Sequence, residues 1–332
     1  MTWAIKLPRI RWSWGLLLVL ASTLFAAKPN WFVQANQLYD QGKYMEAVKF
    51  YRAAIQNGEY EPYAWFNLGN TLVQLEKPHL AVVAYRRSIE LAPKFVRPWM
   101  LLGDLYFIHG DVGLAVAAYK RAQRLGEDSE HLHYALAECY RQAHDVTQAE
   151  REYETVVRSN ADRVDCWFAL AELREQVQDY PEAVRILRQA IRQSVSAGAD
   201  VYFYLAYLQF QQDSLAPGMA SLEDGLMLNP GNQLARRHLA QLYSQQGSPW
   251  MAIFTLEQGL HKNQDDRDLE VDLGQVYFDQ KRYPEALDHF INAWKFGNAQ
   301  GRIGAENVGN AWYNQGDTTL AQTAYQRVHA RQ

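Results

Sequence analysis

From about residue 28 onwards, apolar side chains recur at three- and four-residue intervals, which is the spacing of amphipathic helices. One apolar stripe runs from Trp99 to Tyr106, and the next runs from Ala115 to Ala122. Between them lies the turn signal His109–Asp111, which contains a glycine. We therefore predict two helices joined by a tight turn, each with one apolar side that faces a neighbour.

This helix pair returns with a period of 34 residues along the chain. A series of small residues marks one position of the second helix in nine successive periods, with two intervals of 35 residues. Its members are Ala47, Ala81, Ala115, Ala149, Ala183, Gly218, Ala252, Ala286 and Ala321. A small side chain at such a position lets two helix axes approach closely. The period predicts an all-α solenoid of nine stacked helix pairs, with no strands and no second fold.

Two of these periods carry a specific motif. The stretch WMLLGDLY at Trp99–Tyr106, followed by Ala115 and Tyr119, and the stretch WFNLGNTL at Trp65–Leu72 resemble the tetratricopeptide repeat. The resemblance covers roughly residues 28–332. It implies a right-handed α-solenoid superhelix of antiparallel helix pairs, built from nine repeats.

The array departs from the motif at a few positions. Gly218, Gly225 and Gly259 stand where a helix-favouring alanine is usual, and each lowers helix propensity by about 1 kcal/mol. The additional residues fall in the connections Ser194–Asp200 and Gly297–Gly304. We interpret these connections as candidate bends of the solenoid and not as domain boundaries.

The first 27 residues form a separate region. Lys6, Arg9 and Arg11 precede an apolar run of 16 residues from Trp12 to Ala27. As a helix this run would span about 24 Å, less than the roughly 30 Å of a bilayer's hydrocarbon core. The pattern is typical of a cleaved signal peptide; an uncleaved membrane anchor is the second interpretation and a buried helix the third. Under the first two, we expect the remainder to be exported, either periplasmic or membrane-anchored and facing out of the cytoplasm.

Charge and motifs narrow the range of functions. The formal net charge of -4 and the pI near 6.2 argue against nucleic-acid binding by the whole molecule. The sequence contains no H-E-x-x-H motif, Walker A loop or paired C-x-x-C. We expect no catalytic residues, no metal site and no cofactor. Cys139 and Cys166 are offset too far along adjacent first helices to pair, so we expect two mostly buried thiols.

In the family that this chain resembles, the first helix of each pair lines a concave groove that binds peptides or other extended ligands. Carried onto this sequence by position, the candidate partner-binding residues are Asn36, Asn70, Tyr134, Glu138, Asp165, Phe168, Glu172, Glu175, Phe203, Tyr207 and Phe210. Aromatic residues and acids alternate in the middle of the array, so we expect a basic or amphipathic protein or peptide to bind there. The competing interpretation is that the aromatic residues only pack against neighbouring helices and that the acids are solvated.

Two ligand-binding patterns of the family are incomplete here. Asn36 and Asn70 match the asparagines of a carboxylate clamp, but Phe32, Met100 and Asp104 stand at its basic positions. A clamp for a terminal carboxylate is therefore not expected. The asparagine ladder of the glycosyltransferase-linked repeats is also missing, because its positions hold Val33, Asn67, Leu101, Ala135, Ala169 and Tyr204.

The second helices carry a basic outer face. Its residues are Arg86, Arg87, Lys120, Arg121, Arg124, Arg185, Arg188 and Arg192. We interpret this face as solvated, and contact with an anionic membrane or polymer is the alternative.

These features predict a non-enzymatic scaffold, with the identity of its partner and its oligomeric state left open. We expect it to bind a protein or peptide in the concave groove during envelope assembly or secretion. The alternative function is that of a polysaccharide-binding or exopolysaccharide-export module. In both cases membrane contact is expected only through the N-terminal segment.

Overall fold

The computed structural model describes residues 30–330, and all regular secondary structure in this range is helical. The predicted signal peptide or membrane anchor at residues 1–27 lies outside the described residues. With 18 helices and no strand between residues 30 and 330, the prediction of an all-α fold is confirmed. In chain order the helices are α1 (Trp31–Asp40), α2 (Tyr44–Gln56), α3 (Glu61–Gln74), α4 (Pro78–Leu91), α5 (Val96–Ile108), α6 (Val112–Arg124), α7 (Glu130–Gln142), α8 (Val146–Ser159), α9 (Val164–Gln176), α10 (Tyr180–Gln193), α11 (Ala199–Gln211), α12 (Leu215–Leu228), α13 (Gln233–Gln245), α14 (Pro249–Leu260), α15 (Arg267–Asp279), α16 (Tyr283–Lys295), α17 (Ala299–Asn314) and α18 (Thr318–His329).

First and second helices alternate in step with the 34-residue period. A first helix packs on the second helix that follows it, as α3 does on α4, α5 on α6 and α11 on α12. The longest of the helices in the described range has 16 residues, and none there is both long and apolar enough to cross a bilayer.

The turn between α5 and α6 shows how a first helix ends. Gly110 has a φ of 83°, a conformation that glycine adopts without steric cost. Its N–H donates to the carbonyl oxygen of Phe107 at 3.0 Å, and the N–H of Asp111 donates to that of Tyr106 at 2.8 Å. These two bonds satisfy carbonyl groups that the helix end leaves open. The turn predicted at His109–Asp111 is confirmed.

The described chain divides into two compact units, the first ending at Cys139 and the second beginning at Tyr140. This division falls inside α7 and neither at Ser194–Asp200 nor at Gly297–Gly304. Gly297–Gly304 is not a lengthened connection as predicted, because α17 begins at Ala299 and the additional residue extends this helix to 16 residues. Whether the solenoid bends at either stretch stays a prediction.

In the first unit, tyrosines of second helices pack on glycines of first helices. Tyr85 and Tyr119 are each only 1% exposed, and each packs on a glycine of the preceding first helix. A Cβ added to Gly103 would lie 2.5 Å from Cε1 of Tyr119, and the ring of Tyr85 covers Gly69 in the same way. At these two glycines the ring occupies the space of a Cβ, so a larger residue would force the ring to shift.

In the second unit Arg236 stands at the position that Trp167 holds two pairs earlier. Its side chain is buried, Nη1 donates to the carbonyl oxygen of Thr255 at 3.0 Å, and Nη2 donates to that of Pro230 at 2.8 Å. A Cβ on Gly259 would lie 2.6 Å from Cδ of Arg236, so this glycine makes room for the side chain. Burial lowers the pKa of the guanidinium group.

Candidate functional site

The centre of the candidate site is the carboxylate of Glu175 on α9. It accepts a hydrogen bond from Tyr204 Oη at 2.5 Å and another from Tyr207 Oη at 2.9 Å, both from α11. The two tyrosines are three residues apart and therefore share one side of their helix. Their ring centroids lie 6.1 Å apart with an interplanar angle of 17°. In the second unit, therefore, the carboxylate of Glu175 accepts hydrogen bonds from two tyrosines whose rings stack on each other.

Phe168 and Glu172, also on α9, complete this cluster. The ring centroid of Phe168 lies 5.8 Å from that of Tyr204. Glu172 is exposed, and its charge acts on Tyr204. We name Phe168, Glu172, Glu175, Tyr204 and Tyr207 the acid–tyrosine face. Four of its five members are residues that the sequence analysis selected.

Both phenols of the face are held in the protonated state. Burial raises the pKa of Tyr204, and its hydrogen bond to Glu175 and the charges of Glu175 and Glu172 raise the pKa further. Tyr207 is 44% exposed, and its pKa is raised first of all by the hydrogen bond to Glu175. The hydroxyl groups therefore remain donors at neutral pH, and two carboxylates lie beside three aromatic rings. This combination attracts cations.

The carboxylate of Asp165 is not available to a partner, because it already forms an ion pair within the chain. Arg163 Nη2 lies 2.7 Å from its carboxylate, and Arg163 Nε donates to it at 2.9 Å. These hydrogen bonds hold the pKa of Asp165 below its usual value. A partner cation would have to displace Arg163 to reach this carboxylate.

The structure places Phe203 and Phe210 in a helix contact and not on this face. A Cβ added to Gly225 would lie 2.5 Å from Cε1 of Phe203, and Phe210 covers Gly218 in the same way. Both rings are half-buried and pack against the core that α11 forms with α12. For these two residues the structure favours the packing interpretation, because the glycines of α12 leave room for an aromatic ring.

In the first unit Asn36 and Asn70 accept hydrogen bonds from buried tyrosines. Tyr51 Oη donates to Asn36 Oδ1 at 2.7 Å, and Tyr85 Oη donates to Asn70 Oδ1 at 2.8 Å. Each bond joins the second helix of a pair to its own first helix. Asn67 Nδ2 also donates to Asn36 Oδ1, at 2.9 Å. Both candidate asparagines therefore have a structural task that needs no external ligand.

Tyr134 and Glu138 lie on α7 in the first unit and are both half-buried. Asp104, one pair earlier, accepts a hydrogen bond from Tyr119 Oη at 2.6 Å and lies 3.6 Å from His131 Nε2. Asp104 thus accepts the same kind of hydrogen bond from a tyrosine of the second helix as Asn36 and Asn70 do, but with a carboxylate oxygen.

Tyr204 is the member of the acid–tyrosine face that the sequence analysis did not select. In the sequence, Tyr204 was considered only as one of the positions at which the asparagine ladder is missing. A signal was available in the spacing, since Tyr204 and Tyr207 are three residues apart and Phe168 and Glu175 are seven apart. Both spacings place side chains on one side of a helix.

Between residues 30 and 330 we also searched for side chains that could bind a metal ion or act as a nucleophile. No group of three or more His, Cys, Asp or Glu side chains between residues 30 and 330 is placed to hold a metal ion. Cys139 and Cys166 are both buried, as predicted. Burial, with the carboxylates of Glu138 and Asp104, raises the pKa of Cys139 to about 12, so this thiol is a poor nucleophile at neutral pH.

Family models match a large part of the sequence. One model described as tetratricopeptide repeat matches residues 32–94, 66–130 and 168–221, and a second one with the same description matches residues 106–173. Together they cover a continuous stretch of more than half of the chain. No curated protein sequence matches the chain significantly.

Several solved structures are similar to the chain. A structure of Naa15/Naa10 bound to HypK-THB matches with a TM-score of 0.52 and 17% identity, over 86% of this chain and 47% of that chain. A tetratricopeptide repeat protein from Parabacteroides merdae matches with a TM-score of 0.44 and 15% identity, over 79% and 99%. The MamA protein matches with a TM-score of 0.40 and 18% identity, over 50% and 91%. At these identities the likeness concerns the fold alone.

Proposed function

The chain belongs to the tetratricopeptide repeat family, and on this premise we propose that it is a non-enzymatic scaffold whose acid–tyrosine face binds a basic segment of a protein partner. One observation carries the proposal: the carboxylate of Glu175 is held by two tyrosine hydroxyls on a partly exposed face. Proteins of this family are generally scaffolds without catalytic activity, and one similar structure contains Naa15/Naa10 bound to HypK-THB.

The geometry of the face suits a lysine or arginine side chain. Two hydrogen bonds fix the orientation of Glu175 before any partner arrives, so little ordering is needed on binding. The rings of Tyr207 and Phe168 offer flat surfaces over which the stem of a long basic side chain can lie. Glu172 adds a second negative charge that speeds encounter with a basic partner.

The sharpest test compares two acids of the second unit. A partner would be captured from envelope extract on the full chain, identified by mass spectrometry, purified and then titrated against variants. Glu175→Gln should weaken binding by roughly 5- to 30-fold, which corresponds to about 1–2 kcal/mol. Glu154→Gln, an exposed acid of α8 that belongs to no part of the face, should leave the affinity unchanged. Full affinity in Glu175→Gln would contradict the proposal.

Stacked tyrosines beside a carboxylate also suit a sugar ring, so the polysaccharide-binding function is the second candidate. A glycan array with the same variants separates the two functions. Binding of a defined glycan that Tyr207→Ala abolishes, with no protein captured, would favour this second candidate.

We further propose that the scaffold acts outside the cytoplasm, in envelope assembly or secretion. The basic residues and apolar run of the first 27 residues support this location. Mass spectrometry of the mature protein should find an N-terminus near Ala27 or Lys28, whereas an intact Met1 in membranes would indicate a retained anchor. An intact Met1 in the soluble cytoplasmic fraction would contradict export.

A further inference from the structure

The first unit contains a second candidate site, which lies on the second helices of its pairs. Between the second helices α4 and α6 there is a cavity of about 520 Å³, within the roughly 300–1,000 Å³ range of ligand clefts. Ile89, Leu102 and Leu114 are among the apolar residues that line it. We name this space the basic cavity, because three arginines also line it.

Those arginines are Arg86, Arg121 and Arg124. None of them forms an ion pair with a carboxylate of the described chain, residues 30–330. Glu90 is the acid among the lining residues, and it is already engaged by Arg87, whose Nη1 lies 2.5 Å from its carboxylate. The basic cavity therefore combines apolar walls with three uncompensated positive charges.

Trp99 on α5, which also lines the basic cavity, carries a donor without a partner among the described residues. Its Nε1 is buried and has no hydrogen-bond partner in the described part of the chain. The tryptophan at the same repeat position in the second unit, Trp167, donates from Nε1 to the carbonyl oxygen of Ala161 at 2.9 Å. Buried donors in proteins are nearly always satisfied. The difference shows that the indole of Trp99 lacks the internal acceptor that the equivalent indole has.

The second unit contains a matched cavity that lacks these properties. It lies between α8 and α10, is lined by Trp167 and measures about 500 Å³. Its charges are satisfied internally, since Arg174 pairs with Glu150 and Arg185 with Glu182, both at 2.5 Å. The two cavities have the same place in the repeat and a similar size. They differ in charge, because the arginines of the basic cavity have no carboxylate partner in the described chain whereas Arg174 and Arg185 have one.

We propose that the basic cavity is a second interaction site and that its partner is an acidic amphipathic segment of a protein. An apolar side chain of that segment enters between Leu114 and Ile89, while neighbouring carboxylates pair with Arg86, Arg121 and Arg124. Arginine suits this task because its guanidinium group forms paired hydrogen bonds with a carboxylate. A protein segment fits better than a lipid bilayer, because the space is a recess that a protruding side chain can fill and a flat array of headgroups cannot.

The test uses three labelled synthetic helical peptides of equal length and the full chain, followed by fluorescence anisotropy. The first peptide carries leucine at helical spacing with glutamate between, the second has glutamine for each glutamate, and the third has serine for each leucine. We expect the first peptide to bind at least tenfold more tightly than the other two. The double variant Arg121→Gln, Arg124→Gln should lose that preference.

Arg158→Gln is the matched control, because Arg158 lines the cavity of the second unit. It should bind the first peptide as the unchanged protein does, and thermal unfolding should show that all variants fold. Charge reversal adds a rescue: Arg121→Glu should gain affinity for a peptide with lysine in place of glutamate. This is measured in the Glu175→Gln background, because the acid–tyrosine face is itself proposed to bind basic segments. Equal binding of the glutamate and glutamine peptides, no binding of any peptide, or equal loss in Arg158→Gln would overturn the proposal. Arginine-dependent binding of anionic phospholipid vesicles without peptide binding would overturn it in favour of a membrane.

Discussion

The ring of Phe203 fills the space that a side chain at residue 225 would need. A Cβ added to Gly225 would lie 2.5 Å from Cε1 of Phe203. The contact of Gly103 with the ring of Tyr119 in the first unit has a different place in the repeat, because its equivalents in α11 and α12 are Ala206 and Leu222. At the place of Phe203 and Gly225 the first unit has Met100 and Ala122, so the large residue lies on the first helix and the small one on the second in both pairs.

From this relationship we predict that Gly225→Ala destabilises the protein although alanine is the better helix former. Alanine would gain about 1 kcal/mol of helix propensity, but the overlap with Phe203 should cost roughly 1–3 kcal/mol or more. Gly113→Ala is the control, because no atom lies within 4 Å of a Cβ at that position, and it should stabilise by up to about 1 kcal/mol. Urea unfolding followed by circular dichroism measures both. A Gly225→Ala variant as stable as Gly113→Ala would show that the contact adapts.

A second prediction separates packing from binding on α11. Phe203→Ala should cost roughly 2–4 kcal/mol of stability, because it empties a half-buried contact. Tyr207→Ala should cost less than about 1 kcal/mol, since Tyr207 is 44% exposed, yet it should weaken partner binding. Unfolding and binding are measured on the same preparations. A Tyr207 variant that unfolds as easily as the Phe203 variant would assign both residues to packing.

The helix period could be predicted from the sequence because each small residue marks a helix contact that recurs at a fixed spacing. The direction of a given aromatic side chain could not be predicted from the period alone, because it depends on the residue that faces it. Phe203 and Phe210 are seven residues apart, and so are Gly218 and Gly225. In an antiparallel pair these two spacings match Phe203 with Gly225 and Phe210 with Gly218. The spacing in the sequence therefore indicated these two contacts, but pairing the residues correctly requires the register of α11 on α12.

The candidate site was predictable to a similar degree. Helical spacing along α9 placed Phe168 and Glu175 together, and the resemblance to the repeat family placed Tyr207 on the same face as both. Whether Asp165 is open or paired depends on the conformation of Arg163, which no spacing rule specifies. The sequence likewise did not indicate that, in the described chain, the indole of Trp167 finds a carbonyl acceptor and that the indole of Trp99 does not.

A third prediction concerns alkaline pH. Burial raises the pKa of Tyr51, Tyr85 and Tyr119 above the ordinary 10.0 of an exposed tyrosine. Above pH 10 the unfolded chain therefore loses protons that the folded chain retains, so the contribution of these tyrosines to stability is constant below about pH 10 and decreases above it. Each such tyrosine should contribute a slope of about 1.4 kcal/mol per pH unit.

Tyr85→Phe tests this slope, since it removes one buried phenol and keeps the ring. The free energy of unfolding, measured by urea titration between about pH 9 and pH 11, should fall less steeply in this variant. Tyr63→Phe, which alters an exposed tyrosine of the same unit, is the control. An unchanged slope in Tyr85→Phe would mean that this phenol ionises without unfolding.

The last prediction uses the two thiols as reporters of local opening. Cys139 belongs to the first unit and Cys166 to the second, and both are buried. Because each repeat contacts only its neighbours, damage in one place should stay local. Gly103→Ala drives a Cβ into the ring of Tyr119, and the pKa of that tyrosine is raised in part by Cys139, which places the thiol nearby.

Iodoacetamide labelling near pH 8, resolved by peptide mass spectrometry, should therefore accelerate at Cys139 much more than at Cys166. Since the pKa of Cys139 is about 12 in the folded state, its reaction requires an opening that exposes the thiol. A loss of about 1–3 kcal/mol in the first unit should raise that rate by roughly 5- to 150-fold. Gly113→Ala, which has no atom within 4 Å of its Cβ, should accelerate labelling at neither thiol. Equal acceleration at both thiols in Gly103→Ala would show instead that the described helices open as one cooperative whole.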